Sequence, residues 1–250
     1  MGPHSRIRKC ALRVLDVALL NGAVASISYR IGAHGALRVK HYEVGGSAPA
    51  TLARPLTVAF GSDFHAGPTT HPAIFEQLAD ALRRRAPDVL LLGGDYVSCK
   101  PQYLSILLPF LTHYRPPLGI YAVLGNHDIW AGAAAIRRRL ETAGIEVLVN
   151  RHIRLAPPFD SIGISGSTIL GLVGQTWREP STARRRSEYF SLIHPTRFCY
   201  WAMNVSAWRS PATLTVDRLL LPTAPPLSVR AALWRERTVA VVSNFPAMVP

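Results

Sequence analysis

From residue 56 onward, hydrophobic and polar positions fall into short apolar runs that alternate with amphipathic stretches. Residues 56–60 (LTVAF) form a bounded apolar run of the buried-strand type. Residues 71–85 put Ile74, Phe75, Leu78, Ala81 and Leu82 on one face of the helical period, which predicts a helix. Residues 88–94 (DVLLLGG) predict a second strand and residues 103–114 a further helix. Residues 119–125 (GIYAVLG) predict a third strand, residues 131–143 a helix stopped by Gly144, and residues 145–149 a fourth strand. Strands and helices alternating at this spacing imply an α/β fold, a layered sheet with helices covering it.

Upstream, residues 6–30 read RIRKCALRVLDVALLNGAVASISYR, a basic start followed by an apolar run that Arg13 and Asp16 interrupt. The uninterrupted part is too short for a bilayer span and has no clean small-residue cleavage site. Two readings stay open for it: a helix packed on the domain, and a basic helix lying on anionic lipid. The expected organisation is an N-terminal segment (1–50), the α/β domain (51–166) and a tail of different character (167–250).

Composition narrows the class. With 48% hydrophobic residues in 250, the chain can bury a core, which excludes disorder, collagen and a coiled coil as the dominant state. Cys10, Cys99 and Cys199 are widely spaced and form no CxxC, so neither a disulfide framework nor a structural zinc site is indicated. The net charge is +13, from 28 Lys plus Arg against 15 Asp plus Glu. The excess is arginine almost throughout, and no RNP, zinc-finger or stacking-platform pattern accompanies it, so no nucleic-acid partner is expected. The charge is uneven: 11 acidic residues stand before Gly166, and only Glu179, Glu188, Asp217 and Glu236 after it. Trp177, Trp201, Trp208 and Trp234 also fall in that last third.

The chemistry gathers at the strand ends. After the first strand comes G-S-D-F-H, with Asp63 and His65; after the second, G-G-D-Y, with Asp95; after the third, G-N-H-D, with Asn126, His127 and Asp128. The carboxyl ends of parallel strands line one crevice, so the three motifs converge there. Carboxylates, an amide carbonyl and imidazoles make a mixed hard and borderline donor set suited to Mn²⁺, Fe, Zn²⁺ or Mg²⁺. Taken singly, D-x-H is a common pair, GGD a strand-ending turn, His127 a core histidine and Asp128 a helix N-cap. Three in order, each directly after a strand, point to a metal site.

D-x-H, then GGD, then GNHD resembles the calcineurin-like metallophosphoesterase family, in particular its bacterial, membrane-associated branch, over residues 56–166. The resemblance implies a layered sheet sandwich flanked by helices and a centre of two divalent metal ions. It places Asp63 and His65 on the first metal, Asp95 between the two, and Asn126 on the second. His127 would protonate the leaving oxygen or hold the phosphate, and Asp128 would orient it. The implied activity is hydrolysis of a phosphomonoester, phosphodiester or pyrophosphate. The substrate would be a phosphorylated small molecule or lipid. The expected location is the cytoplasm, with residues 6–30 as a candidate peripheral contact at the inner membrane.

The family also uses an L-S-H-x-P-D type motif and a late G-H-T-H-G-G motif, and neither occurs after Gly166, where His194 is the only histidine. Reading the tail's codons from one base upstream permits both motifs, at residues 188–196 and 211–218. The same shift permits a further family stretch at residues 166–177. This implies a shifted reading frame beyond Gly166 and a tail without a selected pattern, whose residues need not form strands. Without the late ligands the literal chain would be a catalytically impaired fragment, and a basic lipid-binding protein is the remaining alternative.

Overall fold

The computed structural model describes residues 22–44, 55–160 and 162–167, together with the backbone of three later strands at 187–193, 202–208 and 214–220. Helix α1 (Ala23–Arg30) and strand β1 (Arg38–Val44) precede the first apolar run. The expected strands follow as β2 (Leu56–Gly61), β3 (Val89–Leu92), β4 (Ile120–Ala122) and β5 (Glu146–Val147), all parallel. Helix α2 (Ala73–Arg85) links β2 to β3. A 3₁₀ turn at Pro101–Tyr103 and helix α3 (Leu104–Leu111) link β3 to β4, and helix α4 (Asn126–Thr142) links β4 to β5.

Successive strand residues point to opposite faces, and here both faces are covered. Ala59, Leu90 and Leu92 face Phe75, Leu78 and Leu82 of α2, Leu107 of α3, and Ile136 and Leu140 of α4. Their neighbours Val58, Phe60, Val89 and Leu91 pack with Leu155, Phe159, Ile162 and Ile164 on the other side. That side is covered by a second, antiparallel sheet containing β6 (Arg151–Arg154), β7 (Ile162–Ser167), β8 (Ser187–Ile193) and β9 (Ala202–Trp208), in the order β6-β7-β9-β8. Strand β10 (Leu214–Leu220) returns to the first sheet, antiparallel to β1 and parallel to β2, giving the order β1-β10-β2-β3-β4-β5. The architecture is α/β, a sheet sandwich flanked by helices.

Two differences from the sequence reading bear on function. Helix α4 starts at Asn126 rather than Ala131 and is interrupted at Gly132 (φ 135°, ψ 79°). Strands β8, β9 and β10 come from the tail, where no strands were required. The edges of β2 and β7 offer rows of backbone donors and acceptors, and main-chain pairing to such an edge makes little demand on side-chain identity. The helical reading of residues 6–30 is observed for Ala23–Arg30, with Ala25 buried and Tyr29 stacked on His71 at 4.3 Å; residues 6–21 lie outside the described part. Among the described residues, no helix is long and apolar enough to cross a membrane.

Candidate metal centre

The ladder between β2 and β3 does not stop where the strands do. Gly93 N–H donates to the Gly61 carbonyl (2.8 Å), Asp63 N–H to Gly94 (3.0 Å), His65 N–H to Asp95 (2.9 Å) and Ala66 N–H to Tyr96 (2.9 Å). Ser98 N–H then donates back to the Ala66 carbonyl at 3.1 Å. The two ligand-bearing loops therefore run side by side, in a register set by main chain alone. Within them Asp63, His65 and Asp95 hold left-handed φ values of 59°, 43° and 56°. Such conformations cost a non-glycine residue about 1–3 kcal/mol each and persist where the surroundings over-determine them. Here the continued ladder does so, and it turns three polar side chains towards one point.

The third loop closes onto the second through glycines. A Cβ on Gly94 would stand 2.8 Å from Gly125 Cα, and one on Gly125 would stand 2.7 Å from Asp95 Cγ. Asp128 lies beneath this contact, fully buried. Its Oδ2 accepts from Asp95 N–H (2.8 Å) and Gly125 N–H (2.9 Å), and its Oδ1 from Tyr96 N–H (2.9 Å). Burial pushes the Asp128 carboxyl up to about 7; the nearby Asp95 charge adds to this, and the three N–H donors pull the other way. Tyr96 braces the same region, its hydroxyl lying 2.9 Å from the Val123 carbonyl and 3.2 Å from that of Leu92. Burial, followed by the Asp128 charge, raises its phenol well above the usual value.

Above Asp128 the expected residues meet. His65, Asp95 and His127 each bring one ligand atom within 4.8 Å of the others. Asp63 Oδ1 lies 3.8 Å from His65 Nε2, and Asp63 Oδ2 accepts from Ser62 Oγ at 2.6 Å. Asp95 Oδ1 accepts from His127 N–H at 2.9 Å. One atom of the Asn126 side-chain amide stands 3.2 Å from Asp95 Oδ1 and 3.0 Å from Oδ2. With no cation between them that atom must be the nitrogen, because two acceptors at this distance repel. A cation held by both groups lets it be the oxygen. The donor set therefore fits a hard or borderline divalent metal.

Two features of the site carry no side-chain signal in the sequence, or a signal hidden by the later helix start. His127 Nδ1 lies 2.9 Å from the Ser98 carbonyl, which only accepts, so Nδ1 bears a proton and Nε2 is the nitrogen open to the cluster. Asp128, expected to orient the imidazole, spends its oxygens on backbone amides instead, and Ser98 fixes the ring. Ser98 acts through main chain, which no motif records. Trp130 packs its indole 5.1 Å from the His127 ring. A helix starting at Asn126 puts residues 127 and 130 on one face.

A parallel sheet that presents carboxylates, histidines and an asparagine from successive strand ends defines a metal-dependent hydrolase of the phosphoesterase type. The calcineurin-like phosphoesterase profile matches residues 56–200, more than half of the chain and further than the residues 56–166 of the motif resemblance. The chain belongs to that family, whose members are hydrolases acting on phosphoester bonds. Among similar proteins, a metallophosphoesterase of Aquifex aeolicus is 34% identical over 41% of this chain and 41% of its own length. A UDP-2,3-diacylglucosamine pyrophosphatase of Chlamydia trachomatis is 35% identical over 27% of this chain and 21% of its own. A Bos taurus transmembrane protein with a metallophosphoesterase domain is 25% identical over 62% of this chain and 35% of its own. The matched segment thus spans less than half the length of each of these relatives. No solved structure matches.

Proposed function

We propose that this chain hydrolyses a phosphomonoester, phosphodiester or pyrophosphate at a centre of two divalent cations. Asp63 and His65 hold the first cation, Asp95 bridges and Asn126 holds the second. The observation that carries this reading is the Asn126 amide set against both oxygens of Asp95, beside the His65–Asp95–His127 cluster. Bound cations supply Lewis acidity and a water acidified towards neutral pH. The protein positions the phosphoryl group between the loops and holds the proton on the leaving side. His127 Nδ1 already donates to Ser98, so Nε2 delivers a proton to the leaving oxygen only from the doubly protonated ring. Asp128 touches no ligand position; it fixes Asp95 by holding that residue's amide.

The test is metal content together with hydrolysis of a chromogenic phosphodiester by the purified chain. Turnover with Mn²⁺ that disappears in Asp95→Ala supports the reading; a wild-type chain that retains no metal and shows no turnover refutes it. The Chlamydia relative acts on a lipid-linked pyrophosphate by its name, which makes a phosphorylated lipid one candidate substrate. Helix α1 exposes Val24 and Ile27 and ends at Arg30, a surface suited to anionic lipid. Salt-sensitive retention on anionic vesicles, lost when residues 1–30 are deleted, checks that contact.

One observation favours a second reading, that the literal chain is impaired. After Gly166 the only histidine is His194, so the late histidine ligands are missing from the translated tail. In this reading Asp63, His65 and Asp95 hold a single weak metal, and the tail is the product of a shifted frame. DNA between the codons of Asp160 and Leu220 that lacks the late motifs in the alternate frame would sink it.

A further inference from the structure

We infer that Trp130 is a specificity-determining residue that selects substrates whose leaving group carries a planar ring next to the phosphoryl oxygen. The inference rests on the phosphoesterase reading above and deepens it. Val24, Ile27, Ile31, Trp130 and Val149 are the exposed large hydrophobic residues among those described, and Trp130 is the aromatic one. Half of its surface is open (50%), although the adjoining turn is built into the site. Its ring centre stands 5.1 Å from that of His127, with 53° between the planes.

The position assigns the side of the phosphorus. His127 turns Nδ1 to the Ser98 carbonyl and Nε2 to the cluster, so the oxygen it protonates is the leaving one. Whatever is bonded to that oxygen lies beside His127, where the indole presents its free surface. A tryptophan has two side-chain torsions, and this one is already packed on one edge, so little freedom is lost when a ring settles on it. The phosphoryl group is held by the metal loops. The indole contributes nothing to phosphate binding and everything to the difference between leaving groups. Helix geometry fixes the pairing, since residues three apart share a face.

Calorimetric titration of the Mn²⁺-loaded full chain with phenylphosphonate and methylphosphonate, neither of which can be hydrolysed, reads the difference directly. The wild type is expected to bind the phenyl compound about tenfold more tightly, the scale of an aromatic pair. In Trp130→Ala that preference falls to about twofold or less, while methylphosphonate affinity and metal content stay unchanged. Trp130→Phe restores the preference to within about threefold of wild type, which a merely structural loss would not allow. Equal binding of the two phosphonates by wild type, or a preference that survives in Trp130→Ala, overturns the role of Trp130 and leaves the phosphoesterase reading intact. A wild-type chain that holds metal but binds neither phosphonate, or holds none, overturns the phosphoesterase reading and this inference with it.

Discussion

Replacing Asp128 by alanine tests the keystone on which the centre is built. The carboxylate is the shared acceptor for the backbone N–H groups of Asp95, Tyr96 and Gly125, at 2.8, 2.9 and 2.9 Å. Leaving a buried donor unsatisfied costs about 1–3 kcal/mol, so three together set a gross loss of roughly 3–9 kcal/mol. Relaxation and water entry bring this towards ~3–5 kcal/mol, the upper range for a single substitution. For a chain of this size that corresponds to a fall in Tm of about 6–20 °C. Asp128→Asn separates the contributions. With its oxygen in the place of Oδ2 it keeps the bonds to Asp95 and Gly125 and loses only the one from Tyr96, a cost of ~1–3 kcal/mol. Urea unfolding of the metal-free chain, followed by far-UV circular dichroism, measures both. A loss under ~1 kcal/mol for Asp128→Ala would refute the keystone argument, as would an Asn variant no more stable than the Ala variant.

Other expected outcomes follow from the same geometry. Gly125→Ala drives a methyl group into Asp95, with Cγ at 2.7 Å and the backbone nitrogen at 2.5 Å, and should lower bound metal by tenfold or more in equilibrium dialysis. Unchanged metal affinity would show that the loops yield. Tyr96→Phe removes the hydroxyl that reaches the Val123 and Leu92 carbonyls, and should cost about 0.5–1.5 kcal/mol in urea unfolding with metal content unaltered.

The strands that position the site were legible because a parallel strand buried on both faces is a continuous apolar run. Residues 56–60 and 88–94 declared themselves that way, and the polar motifs directly after them marked the crevice. The start of α4 was hidden because Asn126, His127 and Asp128 are poor helix formers. What starts the helix is the Asp128 carboxylate reaching back to Gly125 N–H, a contact that a list of propensities cannot contain. Strand β6 is only four residues long and β7 (IGISGS) is rich in glycine and serine, so neither shows a recognisable run. The pairing of β10 between β1 and β2 is long-range, and local pattern carries no information about it.

The interruption at Gly132 gives α4 two independent rotational settings. An unbroken helix has one phase, about 100° per residue, so the rotation that seats Ile136 and Leu140 in the core would also dictate where His127 and Trp130 point. With the chain broken between them, the first segment takes its bearing from the backbone amides that Asp128 gathers, and the second from the packing of the core. A Cβ added at Gly132 would meet no neighbour, so the left-handed backbone there, rather than space, is what calls for glycine. Core substitutions that twist the distal part of α4 by a few degrees therefore stop at this joint instead of swinging the imidazole away from the leaving oxygen.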